Sequence, residues 1–377
     1  MTTVKGVRGV VAVAAVALAC ATPALGVGPT VAAHSYLVEN ANGDVLLASH
    51  ARDRVAIASI TKLMTVLLTL EHASPSDVVT ISPDAASVGE SSINLRTGEQ
   101  LTVLELVKAA LIQSANDAAW ALADYVGHGD VSSFVALMNR KARQLGLHDT
   151  HFARPDGLDA YGHYSSARDV TRLARIVMRI PLVRAIVRKQ SDRISGGRTL
   201  RTWNDLLATF PGLIGVKTGH TSAAGWSEVA AARGGGVTVY ATLLGSPSRA
   251  QRNADLASLL RWGLSRYRWV AVIQRSRVYG WAKAPYGRKP LALVVRKRVV
   301  RVVRIDRPLL ERVVAARTVA LPVHKGEHLG EVRIFDRGRL IARVPLLASR
   351  NIARPGWLGR TEWYADRALH HFWSWVS

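Results

Sequence analysis

In the segment IASITKLMT, residues 57–65, Ser59 and Lys62 stand three apart at the head of an apolar run. At helical spacing, residues i and i+3 share a face, so the lysine side chain can reach the serine hydroxyl within one turn. A serine becomes a useful nucleophile only when a neighbouring group takes its proton. Lys62 can be that base if burial and a nearby positive charge strip its own proton. Taken alone, the pattern more often marks a helix cap beside a solvated charge. Of the ten lysines in the chain, only Lys62 has a serine three residues before it.

Two further groupings change the weight of that observation. Ser114-Ala115-Asn116 falls in a polar break between two helical patterns, where a hydroxyl and an amide can face a cleft instead of competing with helix backbone. Lys217-Thr218-Gly219 falls at the end of a strand pattern, where a cation, a hydroxyl and bare backbone can line a groove. Singly, these read as a loop cap and a turn. Together, Ser-x-x-Lys, Ser-x-Asn about 50 residues on and Lys-Thr-Gly about 100 beyond that form an ordered set that chance rarely produces.

The elements that must hold these residues follow from periodicity. SYLVENANGDVLLAS reads as a hairpin around Asn42-Gly43. Ser59 to Leu70 reads as a helix with Leu63, Val66, Leu67 and Leu70 on one face, stopped before Pro75. Thr102-x-x-Glu105 and Ser166-x-x-Asp169 each open a helix, the first running to Ile112. Another runs from Asp117 to about Val126. Strands are expected at Leu213–Thr218, Trp226–Ala232 and Val237–Leu244, with Gly234-Gly235-Gly236 as a turn, then a helix from Arg249 to Tyr267. The implied fold is an α/β sandwich whose sheet joins both ends of the domain.

Beyond about residue 270, short β-branched runs such as ALVV, RVVRVVRI and RTVALPV indicate a small all-β domain. Residues 270–377 hold 22 Lys and Arg against 7 Asp and Glu, most of the net charge of +23, with Arg296, Lys297, Arg298, Arg301 and Arg304 concentrating it. Such charge attracts polyanions: nucleic acid, anionic lipid or anionic wall polymers. The N-terminus excludes nucleic acid as the natural partner, because Lys5 and Arg8, the apolar run Val10–Leu18 and the small residues after it have the layout of a secretory leader, residues 1–26. An extracytoplasmic location follows. The only cysteine, Cys20, lies in this leader, so cleavage beyond it leaves no disulfide or thiol chemistry. The domain plan is therefore a leader (1–26), a main domain (27–269), a basic β-domain (270–352) and an aromatic tail (353–377). In the tail, Tyr364, Ala368, Phe372 and Trp375 can share one helical face, suited either to a membrane interface or to docking on the protein itself.

The Ser-x-x-Lys, Ser-x-Asn and Lys-Thr-Gly set resembles that of penicillin-binding proteins and class A β-lactamases. IASITKLMT, LIQSANDAAWALAD, HFARPDGLDAYGHYSSARDV, GVKTGHTSAAGW and LPVHKGEHLGEV further resemble segments of the D-alanyl-D-alanine carboxypeptidases, peptidase S11, over residues 30–350. The resemblance implies an antiparallel sheet flanked by helices, followed by a small β-domain. It implies Ser59 as the acylated nucleophile, Lys62 as its base, Ser114 as a proton relay and Asn116 bonding the substrate amide. Lys217 would place positive charge beside Ser114, and Thr218, Gly219 and His220 would line the pocket, with the N–H groups of Ser59 and His220 as oxyanion hole. Arg252 would stand near the substrate's terminal carboxylate. The implied substrates are peptidoglycan stem peptides, with β-lactams as covalent inhibitors and no metal or cofactor. Ala115 departs from the glycine of many relatives.

Three other functions compete. A class A β-lactamase usually needs a glutamate between the second and third elements, and this chain has none between Glu105 and Glu228. A D,D-endopeptidase would use the same residues on cross-linked peptides. A catalytically idle wall-binding protein would not need Ser59, Lys62 and Lys217 together.

Overall fold

The computed structural model of the chain describes residues 11–18, 28–275, 277–358 and 360–365. It divides into two compact units, residues 27–266 and the chain from Tyr267 onward, which also takes up the N-terminal strand.

The first unit is built on a five-stranded antiparallel sheet. Its opening hairpin is β1 (Ser35–Asn40) and β2 (Val45–Ser49). The side chain of Asn40 accepts from the N–H groups of Asn42 and Asp44, and Gly43 turns the chain at a φ of +86°, where a Cβ would be strained. Later strands β3 (Leu213–Thr221), β4 (Gly225–Gly234) and β5 (Val237–Ser246) complete the order β2-β1-β5-β4-β3. The two ends of the unit therefore meet in one sheet, with β3 at its edge.

Helices cover both faces of that sheet. Successive strand residues point to opposite sides, and Val38 and Glu39 on β1 show which helix lies where. On the Val38 side packs α6 (Arg249–Ser265), whose Gly263 comes so near that a Cβ there would stand 2.8 Å from Val239 and 2.9 Å from Val38. On the Glu39 side packs α5 (Ala167–Val177), tied by a Thr171–Thr242 hydroxyl bond of 2.6 Å and an Arg175–Glu39 ion pair of 3.0 Å. Ser166 caps α5 as expected, its side chain accepting from the Asp169 N–H. Beyond it lie α1 (Lys62–His72), α2 (Val103–Lys108), α3 (Asn116–Val126) and α4 (Val131–Gln144). Every residue of α1 from Lys62 to Thr69 is buried, so this helix is the centre of the core rather than a half-exposed cover.

Two expected helices are interrupted, and both interruptions fall at chemistry-bearing residues. The helix read as starting at Ser59 instead begins at Lys62, preceded by a 3₁₀ turn over Ala58–Thr61. Ala58 holds a φ of +48°, which no regular helix allows. The helix opened by the Thr102–Glu105 capping box is regular only to Lys108, then widens into a π turn over Ala109–Gln113. Ser114 follows in the left-handed region at a φ of +66°.

In the second unit, β6 (Tyr267–Ile273) pairs with β9 (Val299–Arg304). A larger antiparallel sheet holds β7 (Val278–Ala282), β8 (Leu291–Val294), β10 (Leu309–Ala316), β11 (His328–Asp336) and β12 (Arg339–Ala348) in the order β10-β11-β12-β8-β7. Leu291, Leu293, Val332, Ile334 and Leu346 lie at its core. The run RTVALPV is not a strand; it makes only isolated bridges through Thr318 and Val323, and Pro322 offers no N–H to a ladder. Arg304, expected in the basic cluster, is buried and ion-paired with Asp306, so it does not add to the basic surface. Val11–Leu18 of the expected leader is a strand antiparallel to β10; residues 1–10 and 19–27 lie outside the described residues. In the tail, Trp363 packs edge-on against Tyr286 at 5.4 Å and Tyr364 is exposed, while Ala368, Phe372 and Trp375 lie outside the described residues. Among the described residues, no helix is long and apolar enough to cross a membrane.

Candidate active site

The short turn carrying Ser59 is wedged between two glycines. A Cβ on Gly219 of β3 would lie 2.7 Å from the Ile57 carbonyl and 3.2 Å from the Ala58 Cβ, and one on Gly157 would lie 2.8 Å from the Thr61 hydroxyl. These approaches hold the turn against the sheet edge and leave Ser59 half-buried. Behind it, Thr61 is bonded to His163 Nε2 at 2.8 Å. Because His163 Nδ1 accepts from the Ala153 N–H, Nε2 carries the proton and donates. Burial lowers this imidazole to about 4, so it stays neutral.

Lys62 Nζ has three partners: Ser59 Oγ at 2.7 Å, Asn116 Oδ1 at 2.6 Å and the Asp156 carbonyl at 2.7 Å. A neutral amine has two N–H bonds and one lone pair. The two carbonyl-type acceptors take both N–H bonds, which leaves the lone pair for the Ser59 O–H. Burial, opposed chiefly by the Asp156 charge, lowers Lys62 to about 7. The positive charge of Arg154 adds to burial, and Lys62 and Lys217 disfavour each other's charge.

The widened turn aims the second hydroxyl. Ser114, in its left-handed conformation, accepts from Lys217 Nζ at 2.8 Å, and Lys217 also donates to the Thr218 carbonyl at 2.9 Å. Burial, then the charge of Lys62, pushes the Lys217 ammonium strongly toward its neutral form. Ala115 sits at φ −61° and ψ 123°, ordinary extended backbone, so its methyl needs no glycine-only geometry. Asn116 Nδ2 donates to the Gly89 carbonyl at 3.0 Å, which fixes the amide with its oxygen toward Lys62.

The edge strand supplies the third side. Ser59, Ser114, Thr218, Gly219, His220 and Arg252 line one cleft of about 220 Å³, together with Trp203 and Trp226. The His220 ring lies 4.0 Å from the Trp226 ring, and Arg252 sits 5.8 Å from the same indole. Arg252 is buried, donates to Asn253 and Asp205, and pairs with Glu228 at 3.2 Å. Trp203 is anchored by its indole N–H on the Gln113 carbonyl at 3.0 Å.

All nine residues singled out in the sequence thus converge. Lys62, Asn116 and Lys217 stand directly behind the six that line the cleft. Sequence reasoning missed Trp203, the Asp156 carbonyl, Asp205 and Glu228. Trp226 lay inside the quoted GVKTGHTSAAGW without a role. A main-chain carbonyl leaves no mark in residue types, and neither Asp205 nor Glu228 belongs to a recurring spacing. Among the described residues, no His, Cys, Asp or Glu cluster is suited to a metal.

Comparison with known proteins identifies the family. The family model for D-alanyl-D-alanine carboxypeptidase, peptidase S11, matches residues 22–248. The D-alanyl-D-alanine carboxypeptidase DacF of Bacillus subtilis is 30% identical over 337 residues, 86% of this chain and 86% of its own. Penicillin binding protein 5 from Haemophilus influenzae superposes with a TM-score of 0.63 at 26% identity, over 87% of this chain and 99% of that one. The Streptomyces K15 DD-transpeptidase gives 0.61 at 32% identity, over 63% of this chain and 99% of that one. The chain belongs to the D-alanyl-D-alanine carboxypeptidase family, peptidase S11, and is a serine-type hydrolase of that class.

Proposed function

We propose that Ser59 attacks the carbonyl of the penultimate D-alanine in a peptidoglycan stem peptide. The Ser59 proton passes to Lys62 as the new C–O bond forms, and the C–N bond to the terminal D-alanine then breaks. Ser114, bonded to Lys217, delivers a proton to the departing amine. Lys62 passes the proton it took on to Ser114 and is again a free base; water then attacks the acyl-enzyme and gives up a proton to Lys62, and that proton returns to Ser59 Oγ as the ester bond breaks and the shortened peptide leaves. The observation that carries this reading is the Lys62–Ser59 contact of 2.7 Å from an amine that burial holds near neutrality.

The remaining roles follow from position. Asn116 orients Lys62 and bonds the substrate amide. The N–H groups of Ser59 and His220 stabilise the oxyanion at the edge of β3. Thr218, Gly219 and His220 offer that edge to the substrate backbone, and Arg252 receives the terminal carboxylate. A carboxylate there also favours the charged form of Lys217, which burial otherwise suppresses. Penicillins enter the same cleft and acylate Ser59. The test is intact mass after exposure to a fluorescent penicillin: wild type gains one label and Ser59→Ala none. A labelled Ser59→Ala protein would refute the assignment.

A D,D-endopeptidase shares this chemistry, and free D-alanine release measured against cleavage of cross-linked dimers separates the two. Rapid turnover of benzylpenicillin would instead favour a β-lactamase. We further infer that the enzyme works outside the cytoplasm behind a cleaved leader, and that its β-domain meets an anionic wall polymer. Arg296, Lys297, Arg298, Arg301 and Arg343 rim a groove floored by Val299, Val300 and Val344, with a volume of about 630 Å³. Reversing Arg296, Arg298 and Arg301 to Glu should abolish co-sedimentation with purified anionic wall polymer. Retained co-sedimentation would remove the groove from the reading, and co-sedimentation with anionic lipid vesicles alone would point to the membrane surface.

A further inference from the structure

Behind the cleft wall lies a buried acid that the proposed reaction does not use. Glu228 on β4 stands across from Thr218 on β3 and Leu243 on β5, with no exposed surface. Among the described residues, neither of its side-chain oxygens has a hydrogen-bond partner. The cation beside it is Arg252, whose Nε lies 3.2 Å away but donates to Asn253. Glu228 is therefore held by charge rather than by directed bonds. Arg252 spends Nε and Nη2 on Asn253 and Asp205, and none of these bonds uses Nη1. The charges around Glu228 are Arg252 from α6, Lys217 from β3 and Asp205 from the turn before Leu206, while β5 brings only apolar Leu243. One buried acid thus lies beside both basic groups that serve the cleft, Arg252 and Lys217.

We propose that Glu228 is a positioning residue for the carboxylate subsite, its protonation setting how much positive charge Arg252 and Lys217 present to a ligand's carboxylate. The inference rests on the proposed reading of the cleft. When ionised, Glu228 offsets the Arg252 charge and weakens its pull on a ligand anion. When protonated, it leaves Asp205 as the ionised partner of Arg252 among the described residues. Burial pushes the carboxyl up to about 7, against the pull of Arg252, so both states are populated near neutrality. Lys62 titrates in the same range, so a single rate profile would merge the two groups.

Two ligands separate them. Benzylpenicillin and its methyl ester present the same reactive ring, but only the acid carries a carboxylate for Arg252. The state of Lys62 affects both second-order acylation constants and cancels in their ratio. In wild type the acid-to-ester ratio should fall about tenfold between pH 6 and 8.5, the scale of one unit charge acting across roughly 10 Å at an effective dielectric near 20. In Glu228→Gln and Glu228→Leu the ratio should be flat. A flat wild-type ratio overturns the proposal without any variant, and so does an undiminished fall in both variants. If neither ligand acylates wild type, the reading of the cleft fails instead.

Discussion

The pH dependence of acylation tests the assignment of Lys62 most directly. A lysine at its ordinary pKa of 10.5 is neutral in roughly one molecule in 3,000 at pH 7; at about 7, half the molecules carry the free base. Burial thus supplies on the order of a thousandfold more base at neutral pH. Acylation by benzylpenicillin methyl ester, which carries no carboxylate for Glu228 to act on, followed by quenched-flow intact mass, should rise about tenfold per pH unit below 7 and level off above it. Lys62→Arg keeps the cation but removes the base, and should slow acylation by about 10²- to 10⁴-fold. The structure also fixes the direction of a second shift. Asp156 is the largest charge opposing burial at Lys62, and its own carboxyl, despite burial, is held low by the Arg154 hydrogen bonds. Asp156→Asn should therefore move the inflection below 7. A rate that still climbs beyond pH 9, or a Lys62→Arg protein within tenfold of wild type, would show that Lys62 is not the base.

Two further outcomes follow from packing and capping. Gly219→Ala puts a methyl 2.7 Å from the Ile57 carbonyl and 3.2 Å from Ile60, so strand and turn must separate; we expect about 1–3 kcal/mol of destabilisation in thermal melts and a loss of acylation larger than the change in stability explains. Thr102→Ala breaks the capping box and should cost about 1 kcal/mol. Against burial, the N–H groups of Thr102 and Ser195, joined by the Thr102 hydroxyl that the variant removes, hold Glu105 down at about 2. Its contribution is full above about 4.5, fades as pH falls toward 2, and should shrink in the variant.

Helices whose start is written in a local side-chain bond were legible: Thr102 with Glu105 and Ser166 with Asp169 form as their spacing implies. The glycine turn between β4 and β5 was legible because Gly235 and Gly236 take the positive φ that such a turn needs. What the sequence concealed depends on contacts made far along the chain. The 3₁₀ turn at Ser59 exists because Gly157 and Gly219 press on Ala58 and its neighbours, and no spacing within IASITKLMT encodes that pressure. Glu228 was hidden by a different rule. In a strand with one wet face, an acid beside a serine reads as solvent-facing, but β4 is buried from Ser227 to Ala232 with both faces covered. Arg304 misled in the same way, since Asp306 two residues on takes its charge.

The chemistry of the site and its cost to the fold have one origin. Lys62, Lys217, Arg252 and Glu228 are each at most 2% exposed, and removing such groups from water is expensive unless they are paired or neutral. Lys62 meets that cost by giving up its proton, which leaves its lone pair to a hydroxyl that must itself be deprotonated, so the desolvation that opposes its charge also makes it a base at neutral pH. Glu228 meets the same cost by rising toward neutrality beside Arg252. A stable, apolar α1 is therefore a condition for catalysis rather than a separate property, because any water admitted around Lys62 would return it toward its ordinary pKa. A core substitution that admits water beneath Lys62, such as Leu63→Ala, should on this argument shift the acylation profile to higher pH as well as lower stability. Lost stability with an unmoved inflection would mean that something other than burial sets the base.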